Sequence, residues 1–295
     1  MDINYELYKV FYYVAKTLSF SEASKELYIS QSAVSQSIKT LEKRLNQVLF
    51  IRSTKKVQLT KEGLLLFKHI EPAINLITKG ENQIAESNSL KGGQLRIGAS
   101  DTICRYFLVP YLKKFHETYP NIHIKVTNQT STGCVNLLEN NQVDLIVTNS
   151  PNTRLNTIQN VKILRSFSDV FVANATIFSD LINKEISLEE LLEYPLLMLE
   201  HHTTTSDFLH RLFLENQLDL VPSIELSSND LLIDLAKIGL GIAFVPDYCI
   251  TKTEQDLIAL HLSKELPKRQ LVAAYSDQFP LTNATEQFLQ MLVEE

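Results

Sequence analysis

The stretch Ser30-Gln31-Ser32-Ala33-Val34-Ser35-Gln36-Ser37-Ile38-Lys39 decides how the first sixty residues fold. Its apolar residues Val34 and Ile38 continue to Leu41 and Leu45 at helical spacing, which predicts a helix with one buried face. Ser30 offers the short hydroxyl of an N-cap, so the helix is expected from Gln31 to about Leu45. The opposite face carries short polar side chains and a cation. On an isolated helix such a face simply meets water, so the flanking sequence must decide whether it binds a partner.

Two shorter helices are predicted immediately before this one. Apolar residues at helical spacing predict the first from about Tyr5 to Thr17, and Ser19-Phe20-Ser21-Glu22 matches a capping box that begins the second. Tyr28-Ile29 leaves room only for a tight connection. Together these features predict a helix-turn-helix, whose last helix enters the major groove of DNA. Glutamine can bond N6 and N7 of adenine there, and serine can bond a base edge or a phosphate.

A basic turn follows the third helix. Residues 50–60 contain two short extended runs around a polar turn with three cations, which predicts a wing against the phosphate backbone. Residues 1–60 carry a net charge of +4 and residues 92–295 a net charge of −10, so only the N-terminal part suits a polyanion. We therefore expect double-stranded DNA as a partner. The expected contacts are Ser30, Gln31, Ser32, Ser35, Gln36, Lys39, Arg52, Lys55 and Lys56.

The order and spacing of these motifs resemble the N-terminal module of LysR-type transcriptional regulators. The resemblance rests on residues 29–38, Leu41-Glu42, Leu49-Phe50-Ile51-Arg52, and Leu59-Thr60 followed by Gly63. Two positions depart from the family pattern: Ser32 stands where proline is most common, and Lys55 where arginine is common. Proline at a helix start is favourable but not required, and lysine still offers its charge to a phosphate. The resemblance implies a sequence-specific DNA-binding transcriptional regulator.

A long linker helix is predicted after the 1–60 head, and residues 61–91 comprise this helix and a hinge rich in serine, asparagine and glycine. Its length is roughly 40 Å at about 1.5 Å per residue, which is long for a helix that packs only on a sixty-residue head. Packing on its own head nevertheless stays an open alternative. A two-stranded coil between two copies fits better. The resemblance implies the same dimer interface, with tetramers common in the family. The expected seam residues, at coiled-coil spacing, are Phe67, Ile70, Ile74, Ile77 and Ile84.

Residues 92–295 alternate short apolar runs with amphipathic segments of helix length, which predicts an α/β domain. Residues 135–147 and 236–246 resemble the effector domain of the same family, except that Asn140-Asn141 stands where glycine is usual. The resemblance implies two α/β lobes around a cleft, as in type II periplasmic binding proteins. We expect lobe I over about 92–163 and 268–295, and lobe II over about 164–267. The expected fold class is α/β, with an all-α winged helix-turn-helix head, a long linker helix and a two-lobed effector-binding domain.

The loops at the predicted strand ends are rich in hydroxyl and amide groups, which suits a small polar effector of unknown identity. The alternative for any one of these residues is that it only caps a helix. The loops are residues 100–102, 130–133, 148–149 and 200–205, and they contain no lysine or arginine, which argues against a strongly charged ligand such as a phosphate. The expected effector contacts are Ser100, Asp101, Thr102, Thr130, Ser131, Thr132, Asn149, His202, Thr203 and Pro246.

Other classes of protein fit the sequence less well. No run of 18 apolar residues occurs, and the first residues lack the regions of a signal peptide, so we expect a cytoplasmic protein without membrane contact. The same features argue against a solute-binding protein for transport. An enzyme on the same scaffold is the other rival, but no nucleophile elbow, P-loop or dinucleotide fingerprint points to one.

Three cysteines and a histidine pair leave smaller alternatives. Cys104, Cys134 and Cys249 lack the spacing of a disulfide framework or a metal site. Adjacent residues such as His201-His202 rarely ligate one ion together, so no metal and no cofactor is expected. Redox sensing through Cys104 or Cys134 stays an alternative to an inert buried thiol.

Overall fold

The computed structural model describes residues 3–52, 56–86, 93–250, 256–277 and 280–294. Lys55 and the side chain of Arg52 lie outside this description. The chain divides into two compact units, Met1–Ile84 with Asn140–Gln142, and Ala85–Glu139 with Val143–Glu295. The first unit holds the head and most of the linker helix, and the second holds both lobes.

The head contains the three predicted helices. The elements of the first unit are α1 Tyr5–Thr17, α2 Phe20–Glu26, α3 Gln31–Leu45, β1 Phe50–Arg52, β2 Val57–Leu59 and α4 Lys61–Glu86. The Ser19 hydroxyl accepts a hydrogen bond from the Glu22 N–H, and the Ser30 hydroxyl accepts one from the Ala33 N–H, so both predicted N-caps are confirmed. Val34, Ile38 and Leu41 on the apolar face of α3 are fully buried in a core shared with α1 and α2, and Leu45 is partly buried against it. The members of this core include Phe11, Val14, Ala23, Val34, Ile38 and Leu41.

The Glu42 carboxylate of α3 binds the backbone where the wing begins. Strands β1 and β2 pair antiparallel, with Phe50 opposite Leu59. The Glu42 carboxylate accepts hydrogen bonds from the N–H groups of Leu49 (2.8 Å) and Phe50 (3.3 Å). These bonds satisfy backbone donors where the chain leaves the helix, which gives Glu42 a structural role.

Thr60 and Gly63 join the wing to α4. The Thr60 hydroxyl donates to the Val48 carbonyl oxygen (2.7 Å) and accepts from the Gly63 N–H (2.9 Å). The Thr60 N–H donates to the Leu49 carbonyl oxygen (3.0 Å). A Cβ atom at Gly63 would overlap that Leu49 oxygen. Only glycine therefore lets α4 begin this close to the backbone before β1.

The second unit begins with the elements that form most of lobe I. In chain order these are β3 Gln94–Ala99, α5 Asp101–Ile103, a π-helical turn Cys104–Leu108, α6 Val109–Thr118, β4 His123–Asn128, α7 Ser131–Glu139, β5 Leu145–Ser150, a 3-10 turn Thr153–Thr157 and β6 Asn160–Phe167. Lobe II follows, with β7 Asp169–Asn174, a 3-10 turn Ser179–Leu181, β8 Glu185–Ile186, α8 Leu188–Leu191, β9 Leu196–Leu199, α9 Thr204–Glu215, β10 Ile224–Leu226, α10 Asn229–Lys237, β11 Ile242–Pro246, a 3-10 turn Asp247–Cys249, β12 Leu257–Ala259 and β13 His261–Leu262. The last elements are β14 Arg269–Tyr275 and α11 Asn283–Val293.

The two lobes repeat one sheet topology. In lobe I the strand order is β4-β3-β5-β14-β6, with β3 parallel to β4 and β5, and β14 antiparallel to β5 and β6. In lobe II the order is β10-β9-β11-β7-β12, with the same parallel and antiparallel pattern. β14 and α11 lie in lobe I, where the rings of Phe288 and Phe115 meet at 5.3 Å between centroids. These features match the expected α/β fold class.

The structure differs from the sequence expectations in three places. The sequence predicts a short helix over residues 135–140, but α7 begins at Ser131, because the Thr130 hydroxyl accepts the Gly133 N–H (3.1 Å) and caps the helix earlier. Strand β6 was not predicted; it extends lobe I to Phe167, past the expected boundary near residue 163. Strand β10 was not predicted either. Among the described residues, no helix combines the length and apolar character that crossing a membrane requires.

Candidate DNA and effector sites

The predicted DNA face of α3 is open to solvent. Ser30, Gln31, Ser32, Gln36 and Lys39 are exposed, and Ser35 is half-buried. The Ser30 hydroxyl caps α3 and lies 2.9 Å from the Ser32 hydroxyl, so part of its bonding capacity is used within the helix. Sequence reasoning did not single out Tyr28, which is 95% exposed in the turn before α3. Its position in the tight turn before α3, where its φ is 55°, could have indicated an exposed side chain beside the DNA face.

The wing cations are described only in part. Arg52 is the last residue of β1, opposite Val57 on β2, and Lys56 is exposed just before β2. Lys55 falls outside the described residues. The antiparallel wing therefore exists as predicted, while the contacts of its cations stay predictions.

The predicted seam of the linker helix has two different halves. Phe67 and Ile70 are half-buried and pack on the head core, with the Phe67 ring stacked on Tyr12 at 6.1 Å between centroids. Ile74 is 8% exposed, Ile77 44% and Ile84 74%. The first half thus packs on the head of its own chain, which is the alternative that the sequence left open. The second half carries exposed apolar side chains.

A cavity of about 250 Å³ lies between lobes I and II. Most of the residues expected to contact an effector line its wall. They are Ser100, Asp101, Thr102, Thr130, Ser131, Asn149, Thr203 and Pro246. Thr132 and His202 are not on this wall: the Thr132 hydroxyl lies 3.1 Å from the Thr130 hydroxyl and 3.5 Å from the His202 carbonyl oxygen, and the His202 side chain is exposed. Those two residues instead form a contact between the lobes.

The wall contains further residues that the sequence prediction did not select. They are Asn128, Gln129, Leu199, Thr204, Thr205, Ser227, Ser228, Asn229 and Tyr248. Thr204 and Thr205 belong to a loop that was expected at the cleft. Residues 227–229 follow β10, and without that strand nothing in the sequence places them at a strand end. A serine in this position could have indicated the start of a helix at the cleft: the Ser228 hydroxyl accepts the Leu231 N–H (3.4 Å) and caps α10.

Helix N-termini from both lobes meet at the cavity. α7 of lobe I begins at Ser131, and α9 and α10 of lobe II begin at Thr204 and Asn229. The first turn of a helix leaves N–H groups without an intrahelical partner, and the helix dipole adds positive potential there. Among the described residues of the wall, Asp101 is the one with a charged side chain. The cavity can therefore attract an anion through backbone dipoles without lysine or arginine on its wall.

Polar side chains bridge the lobes beside the cavity. The Asn229 amide group donates to the Thr102 hydroxyl (3.0 Å), and the Tyr106 hydroxyl donates to the Asp230 carboxylate (2.6 Å). Burial, reinforced by Asp230, raises the pKa of Tyr106, so its hydroxyl stays protonated as the donor. The two lobes are thus held together by direct hydrogen bonds at the site where a ligand would touch both.

Three buried polar atoms on the cavity wall remain unpaired. Within the described residues, Asn149 Oδ1, Asn229 Oδ1 and the Tyr248 hydroxyl lack a hydrogen-bond partner. Asn149 is 7% exposed and Asn229 5%. Burial raises the pKa of Tyr248 well above its ordinary value, so this phenol is a neutral donor. Unpaired buried polar groups are rare in native proteins, and here they coincide with a cavity.

A buried arginine lies directly behind the wall. Arg269, 1% exposed, donates to the Asp169 carboxylate (2.9 Å) and to the hydroxyls of Thr205 (3.1 Å) and Thr204 (3.3 Å). Arg269 begins β14 and Asp169 begins β7, so the pair lies where the chain crosses between lobes. Burial raises the pKa of Asp169, while the Arg269 guanidinium opposes the shift. The sequence prediction missed Arg269 because its partners lie 64 to 100 positions away.

The cysteines have the properties of unreactive thiols. Burial raises the pKa of Cys104 to about 11 and that of Cys134 to about 12. A thiol reacts with oxidants and electrophiles mainly as the thiolate, so neither is activated at neutral pH. Among the described residues, no group of histidine, cysteine, aspartate and glutamate side chains is arranged to hold a metal ion.

Comparisons with known proteins match both units. Residues 5–64 match the family model "Bacterial regulatory helix-turn-helix protein, lysR family", and residues 88–295 match "LysR substrate binding domain". The HTH-type transcriptional activator CmpR of Synechocystis sp. (strain ATCC 27184 / PCC 6803 / Kazusa) is 30% identical over 244 residues, covering 82% of this chain and 79% of CmpR.

Two solved structures share the fold. Full-length CbnR, crystallised with its target DNA, has a TM-score of 0.70 at 16% identity and covers 98% of this chain and 99% of CbnR. The regulatory domain of Synechocystis PCC6803 CcmR in complex with 2-PG has a TM-score of 0.62 at 22% identity and covers 68% of this chain and 96% of that domain. With both family models matched in order, the chain belongs to the LysR family of helix-turn-helix transcriptional regulators.

Proposed function

We propose that this regulator reads operator DNA with the exposed face of α3 and responds to a small polar effector bound between its two lobes. The observation that carries the effector half is the convergence of α7, α9 and α10, from both lobes, on one cavity. A ligand there would touch both lobes, and so it could change their arrangement by its differential affinity for the two states. The complexes of CbnR with DNA and of CcmR with 2-PG support these two classes of partner.

The DNA half rests on the chemistry of α3. Gln36 and Lys39 are exposed on the face opposite the buried Val34 and Ile38. Gln36 can read a base edge, whereas Lys39 and the wing cations Arg52, Lys55 and Lys56 suit phosphates. The short side chains of Ser30, Ser32 and Ser35 would let the helix lie deep in the groove, and Gln31 could bond a base edge or a phosphate.

A homodimer would place two such heads on one operator, and contacts between effector domains would extend it to a tetramer. Ile77 and Ile84 are the exposed apolar residues of the predicted seam. We propose that this second half of α4 forms the contact between copies, because Phe67 and Ile70 already pack on the head. The protein would act by binding in the cytoplasm, on DNA, without catalysing a reaction.

Two variants on the same helix face test the DNA half. A preferred duplex is first selected from a random pool with the wild-type protein, and affinities are then measured for that duplex and a random one at several salt concentrations. Gln36→Ala should weaken the selected duplex by about 1 to 3 kcal/mol and leave the random one nearly unchanged. Lys39→Gln should weaken both and reduce the salt slope by about one. If Gln36→Ala weakens both duplexes equally, α3 does not read bases through this residue.

A further inference from the structure

The polar atoms around the cavity restrict the chemistry of the effector. We propose that the effector is a small carboxylate with a hydrogen-bond donor on the adjacent carbon, an α-hydroxy or α-amino acid. The inference rests on the proposed function, because it takes the cavity between the lobes to be the effector site. It goes further by naming the ligand class.

The carboxylate would meet the helix N-termini. The hydroxyls of Thr130, Thr203 and Ser228 each accept an N–H from within their own helix, which leaves the other first-turn N–H groups of α7, α9 and α10 as donors. The neutral Tyr248 hydroxyl adds another donor on the same wall. One negative charge suits this set of dipoles. A phosphate dianion would instead face the Asp101 carboxylate with no arginine or lysine on the wall to balance its second charge.

The donor on the ligand would meet the buried amides. Asn149 Oδ1 on lobe I and Asn229 Oδ1 on lobe II are acceptors without a partner among the described residues. A plain carboxylate offers only acceptors and would leave both oxygens unpaired, which is costly for buried groups. A hydroxyl or an ammonium group satisfies at least one of them, and the Asp101 carboxylate on the same wall favours the ammonium.

The volume limits the size of the ligand. About 250 Å³ falls below the range of about 300 to 1,000 Å³ typical of sites for drug-sized molecules. A short hydroxy or amino acid fits a cavity of this volume. Because Asn229 already donates to Thr102 across the cleft, a ligand that bonds its Oδ1 would strengthen a contact between the lobes.

The test uses the full-length protein and matched probes. Thermal shift and calorimetry compare each hydroxy or amino acid with the plain carboxylate of the same length. Glycolate and glycine are compared with acetate, and lactate and alanine with propionate. Glycerate, serine and inorganic phosphate are tested as further probes. We expect at least one hydroxy or amino acid to raise the melting temperature saturably, and to bind about 2- to 13-fold more tightly than its plain carboxylate for each acceptor it engages. Comparing the hydroxy and amino members of each pair tells which donor is used.

Substitutions at the two amides then test the geometry. Asn149→Leu and Asn229→Leu each keep the branched shape but remove one acceptor, so the variant that lacks the acceptor engaged by the ligand should lose the preference over the plain carboxylate. Asn149→Asp should retain that preference and favour the ammonium member. Asn136→Leu, on the exposed side of α7, is the matched control and should change nothing. Should Asn149→Leu fail to fold, Tyr248→Phe gives a second readout, since loss of a carboxylate donor should weaken both members of a pair equally.

Three results would overturn the inference. They are equal or tighter binding of a plain carboxylate or of phosphate, no stabilisation by any hydroxy or amino acid in the panel, and unchanged selectivity in both folded variants, Asn149→Leu and Asn229→Leu. The DNA half of the proposed function is judged separately by the DNA titrations of Gln36→Ala and Lys39→Gln. Binding of a plain carboxylate or of phosphate that Tyr248→Phe weakens would keep the cavity as the effector site and refute only the ligand class.

Discussion

Replacing Gly63 with alanine should destabilise the head, although alanine is the better helix former. Alanine favours a helix over glycine by at most about 1 kcal/mol. Against this gain, the new Cβ would overlap the Leu49 carbonyl oxygen and lie 3.1 Å from the Leu49 carbonyl carbon and from Leu59 Cδ2. Relief requires moving α4 away from the wing. Forcing an extra carbon into a packed site costs typically about 1 to 3 kcal/mol.

The same movement would strain a hydrogen bond. The Leu49 carbonyl oxygen accepts the Thr60 N–H at 3.0 Å, and losing a typical hydrogen bond costs about 1 kcal/mol. Combining these effects, we expect Gly63→Ala to lower the stability of the head by about 1 to 3 kcal/mol. Gly80 lies in the same helix, where a Cβ atom would have open space around it, so Gly80→Ala should be neutral or slightly stabilising.

Hydrogen exchange of the full-length protein, followed by mass spectrometry, separates the head from the lobes. Peptides from α1, α3 and the wing should exchange about 5- to 140-fold faster in Gly63→Ala, because each 1.4 kcal/mol is about tenfold. Peptides from the lobes serve as an internal reference. If the head of Gly63→Ala exchanges no faster than that of Gly80→Ala, the close approach of α4 to the wing is not what selects glycine.

Further predictions concern the linker, the lobe crossing and the thiols. Ile77→Glu should weaken the dimer in sedimentation, whereas Leu65→Glu, at another exposed apolar residue outside the predicted seam, should not; an unchanged dimer in both would place the seam elsewhere. Asp169→Asn should lower the free energy of unfolding in urea by about 3 to 5 kcal/mol, because it leaves the Arg269 charge buried without its carboxylate. Adding Arg269→Met should recover much of that loss. A single variant as stable as wild type would contradict the role of the pair. Cys104 should react slowly with an alkylating reagent at pH 7, and the rate should rise about tenfold per pH unit above that, since its pKa is about 11. Fast alkylation at pH 7 would instead support redox sensing through this thiol.

Local signals made the head predictable. The caps at Ser19 and Ser30 and the apolar stripe through Val34 and Ile38 depend on neighbours within a few positions, and the structure has them as expected. Asn141, one of the two asparagines that stand where glycine is usual, adopts a left-handed conformation (φ 53°), which asparagine tolerates at the end of a helix.

Features that depend on distant parts of the chain were missed. Strand β6 is mostly exposed and does not alternate cleanly between apolar and polar residues, because it lies at the edge of its sheet, beside β14. Residues from the four predicted loops line the cavity, but the prediction omitted residues 227–229, since their placement depends on the short strand β10 beside β9. Arg269 could not be connected to Thr204 and Thr205 without the fold that brings them together.

The position of β14 has a consequence for synthesis of the protein. β6 has β14 as its strand neighbour in the lobe I sheet, yet about 100 residues of lobe II separate them in the chain. At about 5 to 20 residues per second, a nascent chain would carry an unpaired β6 for several seconds before its partner emerges. An unpaired strand is a template for aggregation, and charged residues on it are a common protection. Lys162 and Arg165, both exposed on β6, would then keep the half-built lobe from pairing with other nascent chains.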